Sequence, residues 1–171
     1  MDDLKVSVAA LAVSAGTPQL VSGEIWCTLG GVDFPGAHWT DAPVSVLGSM
    51  GEALRRAASG EAGEVYFFEG PYYLKLTPRR AGARADAEVE GARDRAVEVE
   101  VTAVCDRAYQ LSGTGGGDVE ARCVVPLHAL QRHYADVVVA LGGWARQHGH
   151  AEVAAVLARM AALDHPPSYG G

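Results

Sequence analysis

Ala121-Arg122-Cys123-Val124-Val125-Pro126-Leu127-His128-Ala129-Leu130-Gln131-Arg132-His133-Tyr134 is the stretch that decides the fold. Up to Pro126 the side-chain pattern repeats every two residues, as in a strand with two distinct faces. Beyond it the apolar residues Leu127, Leu130, Tyr134, Val137, Leu141 and Trp144 are spaced 3-4-3-4-3, the stripe of a long amphipathic helix. After His148-Gly149-His150 a second helix carries Val153, Val156, Leu157, Met160 and Leu163, and Pro166-Pro167 stops it.

Upstream of the switch the chain reads as strands and short reversals. Leu4 to Val13 is a first strand rich in Val and Ala. Leu20 to Leu29 is a second, with Val21, Gly23, Ile25, Cys27 and Leu29 on one face and Trp26 on the other. Gly30-Gly31 predicts a tight hairpin into Val32-Asp33-Phe34. One helix interrupts the strands: Thr40 or Asp41 is its expected N-cap, Pro43 falls in its first turn, and Val44, Leu47, Met50 (or Gly51), Leu54 and Ala58 form its apolar stripe. Gly48 and Gly51 each weaken that helix by about 1 kcal/mol relative to Ala, a cost that close packing would explain. Residues 64–69 and 72–77 form an aromatic-rich hairpin around Glu69-Gly70-Pro71, and residues 85–90 and 96–104 are expected to pair as a further hairpin. Gly113 to Gly117 reads as a loop.

Runs of strands followed by runs of helices, joined by turns too short for parallel crossovers, specify an α+β fold. The expected architecture is a mostly antiparallel, meandering sheet over 1–125 with one inserted helix at 42–59. A C-terminal helical hairpin at 126–165 packs on one face, and the whole of 1–171 is one domain.

Composition bounds the partners. The chain is 49% hydrophobic and 20% charged, ordinary for a globular protein. A net charge of −7 disfavours nucleic acid and anionic membranes, which need clustered Lys and Arg. Lys5 and Lys75 are the only lysines beside twelve arginines, the bias of a GC-rich bacterial genome. Cys27, Cys105 and Cys123 are widely spaced without a CxxC pair, which favours a reducing compartment. The leading charges Asp2 and Asp3 are acidic where a signal peptide needs basic ones, and no run reaches the ~18 apolar residues of a spanning helix. A cytoplasmic protein is expected.

Catalytic and ligand motifs are weak. Gly113 to Gly117 lacks a Walker lysine and the strand–helix setting of a phosphate loop. His128 and His133 stand about 140° apart around one helix, whereas His133 and Asp136 are neighbours at i,i+3. His148, His150, Glu152 and His165 surround the last helix, but nothing in their spacing makes them converge as metal ligands. The cysteines sit in apolar strand surroundings that suit inert filling, and no Gly-x-Ser-x-Gly elbow occurs. No catalytic residue, metal or cofactor is assigned.

Two features suggest binding instead. Asp86, Glu88 and Glu90 alternate on one strand and Glu98 and Glu100 on the next, so that pairing them crowds like charges on one face. Arg79, Arg80, Arg84, Arg93 and Arg95 would neutralise that face and leave it merely solvated; left unpaired, it would meet a basic protein. The second feature is the aromatic group of Phe34, Trp39, Tyr66, Phe67, Phe68, Tyr72 and Tyr73. Most of it should be core, with one or two of Trp39, Tyr72 and Tyr73 exposed as anchors, and Asp41 and Glu69 at the neighbouring turns.

The segment from Val32 to Asp41 (VDFPGAHWTD), the following Val46-Leu47 and the hairpin Phe67-Phe68-Glu69-Gly70-Pro71-Tyr72 resemble small bacterial α+β proteins with an "FP…W.D…vL" segment and an "F.eGPY" hairpin. Some proteins of that style look like immunity proteins of polymorphic toxin systems. The resemblance implies the fold and a protein-binding role, and carries over no catalytic residue.

The expectation is a non-enzymatic module that binds a basic protein through Asp86, Glu88, Glu90, Glu98, Glu100, Trp39, Asp41, Glu69 and Tyr72. The alternative is a small enzyme or ligand-binding protein with a pocket between sheet and helices, using Asp41, Glu69 or a histidine. A homo-oligomer joined through the C-terminal helices is the third reading.

Overall fold

In the computed structural model, which describes residues 4–79, 97–107 and 117–163, the first two strands are β1 (Leu4–Val13) and β2 (Val21–Leu29), paired antiparallel. Gly30 and Gly31 hold φ of 54° and 89°, the left-handed geometry that lets two residues reverse the chain into β3 (Val32–Phe34). β4 (Thr40–Asp41) returns to the same edge of β2 at Gly23 and Glu24, completing a four-stranded sheet. β1 carries a bulge between Ala9 and Ala12, with Ala10 at φ 48°. Gly23 faces that bulge: a Cβ there would lie 3.0 Å from both Ala9 O and Leu11 Cδ2.

α1 (Pro43–Ala58) leads to a second sheet. Its strands β5 (Gly63–Phe67), β6 (Tyr72–Arg79), β7 (Glu98–Cys105) and β8 (Asp118–Pro126) pair in sequence order, all antiparallel. α2 (Leu127–Gln147) and α3 (Ala151–Leu163) follow as an antiparallel pair after the Pro126 switch. The architecture is α+β, as the periodicity predicts, but the strands divide between two sheets, and only the second is a plain meander. Both edges of β7 are taken, by β6 and β8, whereas the sequence reading pairs 96–104 with 85–90; residues 85–90 lie outside the described residues.

One apolar cluster draws on both sheets and all three helices. It includes Ile25, Cys27 and Phe34 from the first sheet, Val65, Leu74 and Val101 from the second, and Leu47, Tyr134 and Leu157 from the helices. α1 lies along β5 and also touches β2, β6 and α2. That approach depends on small residues. A Cβ on Gly63 of β5 would lie 2.6 Å from Ala53 Cα of α1, and one on Gly51 would lie 2.6 Å from the Tyr134 hydroxyl of α2. On α2 the buried face runs through Leu127, Leu130, Tyr134, Val138, Leu141 and Ala145. Val137 and Trp144, which the 3-4 spacing places on that face, are half-buried at its flank.

Candidate binding site

The residues singled out around the aromatic turns converge. Asp41 is only 3% exposed. Its Oδ1 accepts the Ala42 N–H at 2.7 Å, and its Oδ2 accepts Trp39 Nε1–H at 3.1 Å and the Glu69 N–H at 3.2 Å. Ala42, rather than Thr40 or Asp41, occupies the N-cap of α1, and it makes no side-chain cap bond. The carboxylate therefore acts one residue earlier, tying β4, the helix entrance and the β5–β6 turn together. Tyr72 packs edge-on against Trp39, with ring centroids 5.1 Å apart, and against Phe34 at 5.6 Å. Its hydroxyl accepts a hydrogen bond from Arg107 at 3.2 Å. Trp39, Asp41, Glu69 and Tyr72 thus form one joint between the two sheets, and both Asp41 oxygens are committed to holding it.

Beside this joint lies a recess of about 420 Å³ between the start of β2, the first turn of α1, the β5–β6 turn and α3. Leu20, Val21, Val44, Phe68, Val153 and Val156 supply its apolar wall. Leu20 is 66% exposed and Phe68 56%, two of the three most exposed large apolar side chains among the described residues. Single exposed apolar residues are ordinary, but two flanking an apolar hollow form a patch that water solvates poorly. Glu152, in the first turn of α3, is the only Asp, Glu, Lys, Arg or His that lines the recess among the described residues.

Nothing in the sequence marks Leu20, Glu152 or the valines of α3 as neighbours in one site. Leu20 reads there as the first residue of a strand, and only the structure places β2's entrance opposite α3. Phe68 carried a signal: alternation sets Tyr66 and Phe68 opposite Phe67, and Phe67 is the buried one.

The acidic face looks different in three dimensions. Glu98 stands opposite Arg79 on β6 and Pro126 on β8. Glu100 stands opposite Thr77 and Val124 and is ion-paired with Arg79. Neither glutamate has an acidic cross-strand partner among the described residues. Asp86, Glu88 and Glu90 lie outside the described residues.

The histidines serve local contacts. His133 Nε2 accepts the Val6 N–H at 2.8 Å, so α2 closes a main-chain donor of the end strand β1, where the spacing offers Asp136 as a possible partner. His148 and His150 both lie against Trp144, with ring centroids at 5.1 and 5.6 Å. Among the described residues no three His, Cys, Asp or Glu side chains group as a metal site, and no helix is long and apolar enough to cross a membrane. All three cysteines are buried. Burial, with the Cys123 thiol adding to it, pushes the Cys27 thiol up to about 12. A hydrogen bond to Glu64 raises the Tyr66 pKa, and burial raises that of Tyr73.

No protein-family model, no curated protein and no solved structure matches the chain.

Proposed function

We propose that the protein works by binding a basic protein partner, and that the recess rimmed by Leu20 and Phe68 receives an apolar side chain of that partner. The exposure of these two side chains over an apolar hollow carries the reading, because burying them and filling the hollow yields hydrophobic free energy at one central spot. The Glu152 carboxylate at the recess and the overall charge of −7 favour a cationic partner over a second, equally acidic copy of this chain. An immunity-protein role, which the resemblance implies, is one setting for such binding. Of the residues offered for the enzymatic alternative, Asp41 is buried and its oxygens accept from three N–H donors.

The test compares wild-type protein with a Leu20→Asp, Phe68→Asp double variant, each immobilised in native cell extract. Both positions are exposed, so the variant should keep the wild-type circular dichroism spectrum. The expected result is a stoichiometric basic protein held by the wild type. The variant should bind that purified partner roughly 30-fold or more weakly, the effect of about 2 kcal/mol at a hot spot. A partner that binds both forms equally would remove the recess from the interface.

A further inference from the structure

We propose that the recess selects its occupant by charge, taking an apolar side chain of the protein partner that has a lysine or arginine beside it, and rejecting one flanked by a carboxylate. The proposal rests on the reading of the recess as the binding site and adds the chemistry of the anchor.

The start of a helix ordinarily favours an anion, because its first N–H groups have no partners and the helix dipole is positive there. α1 opens onto the recess through Ala42, Val44 and Ser45, so an anionic anchor is the obvious expectation. The local bonding argues against it. Asp41 already supplies the negative charge, accepting the Ala42 N–H at 2.7 Å. Pro43 has no N–H, and the Ser45 and Val46 N–H groups both donate to Ala42 O at 3.0 Å. Apart from the Val44 N–H, the entrance of α1 is satisfied from within the chain, and the charge lining the recess among the described residues is acidic. Glu152 lines the recess in the first turn of α3, and the exposed Glu69, which is not part of the lining, follows Phe68 in the chain. Among the described residues no lysine or arginine lines the recess. A cation held over Glu152 gains attraction at the protein surface, where an anion meets repulsion.

Three probes with one shared apolar body separate these terms: 3-phenylpropylammonium, 3-phenylpropanol and 3-phenylpropionate. Each is titrated into the full chain at low salt and followed by the methyl NMR signals of Val44, Val153 and Val156. The ammonium should bind about tenfold more tightly than the carboxylate, with the alcohol between them. Glu152→Gln, an exposed substitution that should not disturb folding, should bring the two charged probes close together while leaving the alcohol unchanged. Should the alcohol bind and the charged probes bind equally, or the carboxylate better, charge selection is overturned and the recess stands as a site. Should none of the three move those methyl signals, the recess reading falls and this proposal falls with it.

Discussion

Two glycines on α1 separate intrinsic helix preference from packing. Gly48 is exposed, and a Cβ there would meet nothing within 4 Å. Gly48→Ala should therefore raise stability by about 1 kcal/mol, the ordinary helix-propensity gain. Gly51→Ala offers the same gain but drives a methyl to 2.6 Å from the hydroxyl of Tyr134, which is only 1% exposed. Overpacking of about 1–3 kcal/mol should cancel or exceed the benefit. The urea midpoint of Gly48→Ala should rise while that of Gly51→Ala stays unchanged or falls, and a stabilising Gly51→Ala would show that Tyr134 shifts freely. The sequence showed that both glycines weaken the helix. Which one is held in place by a neighbour was not legible, because Tyr134 lies on another element.

Cys27 gives a pH dependence of defined sign. Its thiol titrates near 12 in the folded protein against an ordinary 9.0, so the native state holds the proton more tightly than the unfolded chain does. The resulting stability is complete below pH 9 and is lost as pH rises toward 12, by up to about 1.4 kcal/mol per pH unit. Tyr66 and Tyr73, also raised from 10.0, add to the loss in the same direction. Urea unfolding at steps from pH 8 to 11 should show this decline, and Cys27→Ala, though less stable throughout, should show a shallower one. Equal slopes would mean that the thiol does not sense the core. Strand alternation made its burial readable, since Cys27 shares a face with Ile25 and Leu29.

Among the elements, the joint at Asp41 holds β4, α1 and the β5–β6 turn with a single carboxylate. Asp41→Ala leaves the Trp39, Ala42 and Glu69 N–H donors without this acceptor and should cost about 3 kcal/mol or more. Asp41→Asn keeps one oxygen as acceptor and should cost less. Denaturant curves that ranked the two variants equally would show that the bonds are replaced by solvent. The sequence picked out Asp41 but assigned it a capping role, since a cap needs only the next three residues. The bond to Glu69, 28 residues on, is a tertiary fact. His133 is a parallel case: i,i+3 spacing suggested Asp136, and the fold supplied Val6. His133→Ala should destabilise by about 1–2 kcal/mol through an unpaired Val6 N–H, and His133→Gln, which retains an acceptor, should recover part of that loss.

At the scale of the whole molecule, one apolar cluster links both sheets and all three helices, so the parts lack separate cores. Unfolding should follow a single cooperative transition. Tryptophan fluorescence, which reports Trp26 and Trp39 in and beside the first sheet and Trp144 on α2, should coincide with far-ultraviolet circular dichroism at every urea concentration. Two separated transitions would indicate that the sheets are independent units. The α+β class and the Pro126 switch were readable because periodicity is local. The division into two sheets was not, because strand partners depend on where the chain emerges after α1. The recess was invisible for the same reason: its walls come from residues 18–21, 42–45, 68 and 152–156.

The bond between Val6 and His133 spans 127 positions, with the end strand on one side and the first C-terminal helix on the other. Translation at roughly 5–20 residues per second takes about 6 to 25 s to cover that distance. Until His133 has been made, the Val6 N–H on the outer margin of β1 lacks this acceptor, and an open strand edge of that kind is a template on which another chain can pair.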